Sequence, residues 1–439
     1  MHLRFPFFRL LACWALTLSG PAIAEPDAPA LTAGPSISME LKNAQWFDGK
    51  GFVKRGTLYV KDGKFSNQKI KKPQRSLDLA GQFLIPPLAE AHNHNLQNGW
   101  GYARYANSYL QLGVFYAAMH CGEPQGVALA RGLANQPAAP DILFVSACIT
   151  SSDGQPLAQL IGSEAGTAAK LKLEDVADKQ LLIMDSPEQV AQKWALVGPR
   201  KTDLVKLMLS RSESPELRGD AKQQGRLGLK PEVVPAIVKR AHQDGLRVIA
   251  HVETAGDFAL ALQAGVDWID HLPGYFFHDG LSTEAYRISP ELAAEAAKKH
   301  VAVITGTAAA TLFRATPETQ AAVRRLQIDN LQTLKGAGVK LLLGSDVFNG
   351  GALTELQHLD GLGVLDRGAL LRMASITTPQ ALYPKRRLGC FEAGCEASFL
   401  LLAANPLNDL AALGHIQLRV KQGRVIGPQS GPQSGLQSP

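Results

Sequence analysis

Aromatic residues make up only 7% of this 439-residue chain and charged residues 19%. No run of Lys or Arg is long enough to form a nucleic-acid patch; Lys69-Ile70-Lys71-Lys72 reads as a short solvated turn. Past the N-terminus, no stretch of about 18 uninterrupted apolar residues occurs, which argues against a membrane-inserted mature chain. Cysteine is scarce: five residues, none in CxxC spacing, which makes a poor thiolate zinc site. The formal net charge of +6 is modest for this length, and nucleic acid is not an expected partner.

What is present first is a leader. Arg4 and Arg9 precede an apolar segment from Leu10 to Gly20, and Ala22-Ile23-Ala24 supplies a small-residue cleavage site. Residues 1–24 are therefore expected to be removed on export, with the bacterial periplasm as destination. A lipoprotein anchored through Cys13 is the lesser alternative, because Arg9 interrupts the apolar run before it. Oxidising surroundings permit disulfides. Cys390 and Cys395 bracket a turn and are candidates for one, whereas Cys121 and Cys148, at the ends of successive strands, read as near neighbours only.

The organisation that follows is a linker over 25–36, strands over 37–82, alternating strands and helices over 83–384, strands again over 385–426, and a low-complexity disordered tail over 427–439. The strand–helix alternation predicts a parallel sheet with crossover helices, an α/β fold of the (β/α)8 TIM-like barrel type. The two flanking strand-rich segments are expected to combine into one small β-sandwich. A clear barrel unit runs as a helix from Pro231 to Asp244, stops at Gly245, and continues as a strand to His251. The next helix spans 255–264, stops at Gly265, and leads to a strand ending at His271.

Chemistry-bearing residues sit where these strands end, the place where a barrel's loops converge. His92 and His94 form an HxH pair whose i, i+2 spacing sends both imidazoles to one side. Lys206 stands in the otherwise apolar Leu204-Val205-Lys206-Leu207-Met208-Leu209. A bare ammonium would be repelled by dications, so a lysine here makes sense chiefly as a carbamate (N6-carboxylysine) with two metal-binding oxygens. The bland alternative is a snorkelling lysine paired with a carboxylate. His251, His271 and Asp346 complete a ligand set for one or two divalent ions. Asp346 is placed to accept a proton from an activated water, and is the catalytic candidate. His120, Arg211 and Tyr275 are candidates for contact with a small-molecule substrate; Arg218 and Arg226 lie in the same loop as Arg211, with solvated surface arginine as the competing reading for each.

At this point the chain resembles the amidohydrolase superfamily. The resemblance runs from Ile37 to Val425 and is carried by Phe83-Leu-Ile-Pro-Pro-Leu-Ala-Glu-Ala-His-Asn-His, Ala250-His251-Val-Glu, Ile269-Asp-His271, Leu343-Gly-Ser-Asp346 and Ser375-Ile-Thr-Thr-Pro-Gln-Ala-Leu. It implies that His92, His94 and Asp346 bind a buried metal and His251 and His271 an exposed one, with carboxylated Lys206 and a hydroxide between them. The Val-Lys-Leu-Met around Lys206 is similar to the dinuclear branch containing prolidase-like dipeptidases. Two departures stand out: Pro86-Pro87 replaces the family's Pro-Gly, and Glu90 replaces its Asp. The implied activity is hydrolysis of an amide-type C–N bond in a dipeptide, N-acyl amino acid or cyclic amide. The alternatives are a mononuclear deaminase, which expects a Glu three residues after His251 where Thr254 stands, and an exported non-catalytic binding protein. Two zinc ions are the default cofactors; the sequence leaves homo-oligomerisation open.

Overall fold

The computed structural model describes residues 30–79, 81–161, 171–198 and 201–428. The leader with Cys13 and nearly all of the Gly-Pro-Gln-Ser tail lie outside them.

The chain's two ends build the sandwich together. Its larger sheet has the order Leu31–Ser36, Arg424–Pro428, Ile416–Lys421, Phe399–Leu402, Phe83–Ile85, Gln45–Phe47, Phe52–Lys54. The smaller is Lys64–Ser66, Leu58–Lys61, Met39–Lys42, Arg75–Asp78. Between the sheets Trp46 meets Phe391 edge-on at 5.1 Å, and Phe65 packs on Phe391 and Phe399. Burying rings of this size supplies most of the cohesion of so small a module.

Three sequence expectations are corrected here. Leu31–Ser36 is not linker but an edge strand laddered antiparallel to Arg424–Pro428, so the last strand also takes in Gly427 and Pro428 from the expected tail. Phe83–Ile85 belongs to the sandwich, paired with Phe399–Leu402 and Gln45–Phe47. Pro86-Pro87 separates it from the first barrel strand, Leu88–Asn93; without N–H groups, neither proline can extend a ladder. Finally, Cys121 and Cys148 are disulfide-bonded, with Cα atoms 4.8 Å apart, rather than merely adjacent. A second bridge joins Cys390 and Cys395, Cα atoms 5.9 Å apart.

The barrel is parallel throughout. Leu88–Asn93, Val114–Met119 and Asp141–Phe144 form one run. After Phe144 the chain steps across to Cys148–Thr150, which pairs with Leu204–Met208; Arg247–His251, Trp268–Asp270, Ala302–Ile304 and Leu341–Leu342 follow in order. Leu181–Ile183 adds to the outer edge of Cys148–Thr150. The amide of Asp203 donates to the Phe144 carbonyl at 2.8 Å, joining the two runs, and the Ala91 amide donates to the Leu343 carbonyl at 2.8 Å, closing the circle. Strand residues are buried on both faces, as helices outside and side-chain layers inside require. No helix among the described residues is long and apolar enough to cross a membrane.

The helix after His251 shows how local sequence sets the site's rim. Thr254 caps Ala255–Ala264, Asp257 completes the capping box, and Gly265 ends the helix in the left-handed region. The buried Asp257 carboxylate also accepts from the amides of Arg211, Ser212 and Glu253. One side chain thus fixes the loop after Lys206 against the loop after His251.

Candidate metal centre

Six of the sequence candidates arrive at one end of the barrel from five strands or strand ends, His92 and His94 sharing the first. His92 Nε2 lies 3.2 Å from His94 Nε2 and 3.5 Å from Asp346 Oδ1, and His94 Nε2 lies 3.1 Å from that same oxygen. Asp346 Oδ2 is 3.4 Å from His271 Nε2. The His251 and His271 rings meet edge-on, 5.0 Å between centroids. Lys206 is fully buried below them.

Two backbone features aim this cluster. His271 (φ 75°) and Asp346 (φ 50°) both occupy the left-handed region, which costs a residue with a Cβ about 1–2 kcal/mol. The benefit at His271 is geometric: consecutive strand residues point to opposite faces, yet Asp270 and His271 each offer a ligand atom within 4.8 Å of the other and of His92. Close packing also matters at Gly344, where a Cβ would sit 2.8 Å from the His92 amide nitrogen. Glu90 Oε1 accepts from the amides of both His92 and Ser345, tying the first strand to the Asp346 loop. Burial pushes its carboxyl up to about 8.

The electrostatics suit neutral ligands. Burial first, then the charges of neighbouring His and Lys side chains, holds His92 and His120 well below the ordinary imidazole range. Burial does the same at His271, against an opposing pull from Asp346. Burial also pushes the Lys206 amine down to about 7. Asp346 goes the other way: burial raises its carboxyl, but the His94 hydrogen bond and the charges of His94, His271 and Lys206 outweigh that and leave it lowered.

The residues fit divalent metal on an observation internal to the cluster. Buried polar atoms are normally paired, yet His92 Nδ1, His271 Nδ1 and Nε2, Asp270 Oδ1 and His120 Nε2 are buried with no partner at hydrogen-bonding geometry. Lone pairs gathered this closely, on imidazoles and carboxylates, are the donor set that zinc-like cations take.

The candidate substrate residues divide. Tyr275 lines the mouth, its hydroxyl 3.4 Å from His251 Nε2 and its ring 4.9 Å from that of His271. Arg211 borders a cavity of about 480 Å3 beside the cluster, shared with Arg226, Glu253, Tyr275, His278 and Phe313. It is nearly buried, and its guanidinium donates to Gln223 at 2.6 Å. Arg218 is spent on Asp153, to which one nitrogen donates at 2.8 and 3.0 Å. His120 is corrected: it lies at the floor rather than facing substrate, fully buried, stacked on His92 at 4.2 Å. A larger cavity, about 1020 Å3, opens at the sandwich among Lys61, Lys64, Lys385 and Arg424, and touches none of the six.

Three participants went unassigned in the sequence. Asp270, fully buried, hydrogen-bonds Lys206 Nζ and approaches His92 Nδ1 at 2.9 Å and His120 Nδ1 at 3.1 Å. Its signal was available: a lone acid ending an apolar strand, the same anomaly that marks Lys206. His278 Nε2 lies 2.7 Å from Glu253 Oε2, to which the Ser210 hydroxyl also donates at 2.5 Å. Gln155 donates to the other Glu253 oxygen at 2.9 Å. Burial opposes ionisation of Glu253, but the charge of His278 and hydrogen bonds with His251 and His278 hold its carboxyl well below the usual range. Nothing in the spacing of His278 or Gln155 pointed here, since both come from long loops.

Residues 217–426 match the model of the Amidohydrolase family. Ochratoxinase of Aspergillus niger is 25% identical over 275 residues, 57% of this chain and 52% of that protein. The chain therefore spans about half the length of the curated relatives it matches. Among solved structures, A. niger ochratoxinase aligns with a TM-score of 0.69 at 20% identity, covering 91% of this chain and 98% of that one. A Xaa-Pro dipeptidase with bound methionine aligns at 0.68 and 17%, covering 88% and 99%. A putative prolidase from Bifidobacterium longum aligns at 0.66 and 20%, covering 91% and 96%. At these identities the structural matches speak for the fold alone. The barrel and its flanking sandwich thus give this chain the fold of these structures, and its segment 217–426, which carries His251, His271 and Asp346, matches the Amidohydrolase family model.

Proposed function

We propose that this chain is a metal-dependent hydrolase of an amide-type C–N bond in a small molecule. The observation that carries the reading is the convergence of His92, His94, His251, His271, Lys206 and Asp346 at one barrel end, with several of their polar atoms buried and unsatisfied. His92, His94 and Asp346 would hold one divalent ion, His251 and His271 a second, and Lys206, carboxylated, would ligate both; zinc is the expected metal. Bound there, such ions would polarise the scissile carbonyl and lower the pKa of a bound water to roughly 7.

The chain's own groups then have defined tasks. Asp346, kept ionised and facing the mouth, takes the proton of the attacking water and returns it to the departing nitrogen. Tyr275 and Phe313 wall the reacting end of the cavity and restrict water. Arg211 and Arg226 lend it positive charge for a carboxylate-bearing substrate, in keeping with a dipeptide or N-acyl amino acid. Lys206 acquires its carboxylate by addition of the neutral amine to CO2: the Nζ–C bond forms, one C=O pair moves to oxygen, and one proton is released to solvent. Burial of the amine favours that neutral nucleophile.

The deaminase reading finds no support at Glu253. Its two oxygens are taken up by Ser210, His278, Gln155 and His251, which leaves it a structural member of the wall. Export to an oxidising compartment belongs to the same proposal and is supported by two disulfides among the described residues.

Plasma mass spectrometry of the mature protein, purified without chelator, tests the reading together with a panel of dipeptides and N-acyl amino acids. Two metals per chain and turnover abolished by Asp346→Asn are expected. One metal per chain, or full turnover in the Asn variant, would refute it.

A further inference from the structure

Asp270 is a fully buried ionisable group of the cluster that the proposed chemistry has not used. It ends the Trp268–Asp270 strand, is fully buried, and meets three other strands: Lys206 through a hydrogen bond to Oδ2, His92 Nδ1 2.9 Å from Oδ1, and His120 Nδ1 3.1 Å from Oδ2. An isolated carboxylate cannot be kept in such a place without partners. From these contacts we infer that Asp270 is a positioning residue, which holds the Lys206 nitrogen and the His92 ring for metal ligation. This rests on the reading of Lys206 as a carbamate.

Two pieces of chemistry lead there. Adding CO2 to an amine removes the nitrogen's charge but leaves one N–H. In a fully buried interior that N–H needs an acceptor, and Asp270 Oδ2 already touches the nitrogen, whereas the alternative, His120 Nδ1, is 3.5 Å away. The contact therefore survives the modification, changing from an ion pair into an N–H···carboxylate hydrogen bond. The remaining two bonds to the carbamate carbon then have a fixed pivot, so its oxygens turn only about the Nζ–C axis.

The second concerns His92. Its Nε2 faces His94 and Asp346, while Nδ1 faces Asp270. A carboxylate 2.9 Å from Nδ1 acts there through its charge, although the two atoms do not meet at hydrogen-bonding geometry; it favours the proton on Nδ1 and leaves the Nε2 lone pair free for a metal. His120, stacked on the His92 ring at 4.2 Å with planes 20° apart, blocks rotation from the other side.

Asp270→Asn tests this. The substitution is isosteric, but its single acceptor oxygen serves either Lys206 or His92, and its amide presents N–H to the other. Full-length mature protein is stripped, then reloaded with zinc and 13C-bicarbonate. Its 13C carbamate resonance, metals per chain and zinc affinity are read, and thermal melting by circular dichroism checks the fold. Folded Asp270→Asn with a diminished carbamate resonance and zinc affinity weakened about 10–100-fold is expected. Wild-type carbamate with unchanged occupancy and affinity in the variant would overturn the role of Asp270 and leave the hydrolase reading standing. Absence of a carbamate resonance in wild type would overturn both. Should the variant not fold, 15N NMR of wild type decides: a His92 ring protonated at Nδ1 supports the assignment, and one protonated at Nε2 overturns it.

Discussion

Replacing Lys206 by Met should destabilise the metal-stripped chain by several kcal/mol, and most of that loss should return when Asp270 is replaced as well. The Lys206 side chain is 2% exposed and that of Asp270 0%, so removing the ammonium leaves a carboxylate in the barrel interior without its hydrogen-bonded cation. Breaking such a pair from one side costs about 3–5 kcal/mol, whereas replacing both members by apolar groups is often neutral. The stranded acid can escape by taking a proton. With an ordinary Asp pKa near 3.9, neutralising it at pH 7 costs about 4 kcal/mol, and at pH 5 about 1.5 kcal/mol. Its folded pKa would then be raised, so the native state binds more protons than the unfolded one and stability falls as pH rises. The Lys206→Met deficit should accordingly grow by about 1.4 kcal/mol per pH unit from pH 4 towards 7. Urea unfolding of wild type, Lys206→Met, Asp270→Leu and the double variant at several pH values measures the cycle. A coupling below about 0.5 kcal/mol, or a deficit independent of pH, would refute a desolvated pair.

Other expectations are briefer. Gly306→Ala places a Cβ 2.5 Å from His271 Nδ1 at a φ of +53°; kcat/KM should drop about 10–100-fold with loss of one metal per chain, seen by steady-state kinetics and metal analysis. Gly344→Ala, with its Cβ 2.8 Å from the His92 amide nitrogen, should cost about 1–3 kcal/mol in urea unfolding, since backbone cannot yield as a side chain does. Glu253 has a depressed folded pKa, so its contribution is complete above the unfolded value of 4.5 and disappears as pH falls through the lower folded value. Glu253→Gln should therefore be less stable than wild type at pH 6 and converge with it in strong acid. Reducing Cys121–Cys148, which closes a loop of 27 residues, should lower stability by about 3.5 kcal/mol in the loop-entropy account, measurable as a reductant-dependent melting temperature.

Much of the barrel was readable because its strands are short apolar runs ended by one conspicuous polar residue, as at His251 and His271. Helix limits were readable where glycine ends them, at Gly245 and Gly265. The candidate ligands followed from the same logic, since a histidine, lysine or aspartate at the end of an apolar strand has few other reasons to be there. What was not readable depended on partners far away in the sequence. Leu31–Ser36 looks like linker because its pairing is with Arg424–Pro428, and Phe83–Ile85 looks like a barrel strand because nothing local reveals its sandwich neighbours. His278 and Gln155 reach Glu253 from loops whose paths no periodicity describes. Asp270 was legible in kind but hidden by His271 beside it, because strand alternation allows only one of two consecutive residues to face inward. The left-handed backbone at His271 removes that restriction.

The sandwich sheet places the earliest described strand, Leu31–Ser36, beside the last, Arg424–Pro428, with the whole barrel between them in sequence. A ribosome delivers these partners at opposite ends of synthesis. Until the final strands emerge, Gln45–Phe47 and Phe83–Ile85 also lack Phe399–Leu402, the neighbour that joins them to the rest of the sheet. Loop closure over such a span is slow, and unpaired strand edges attract other chains meanwhile. The module that matters least to the chemistry is thus the step at which newly made protein is most exposed to aggregation, and a nonsense codon a few dozen residues before Arg424 would leave an intact set of metal-binding side chains on a chain that cannot finish folding.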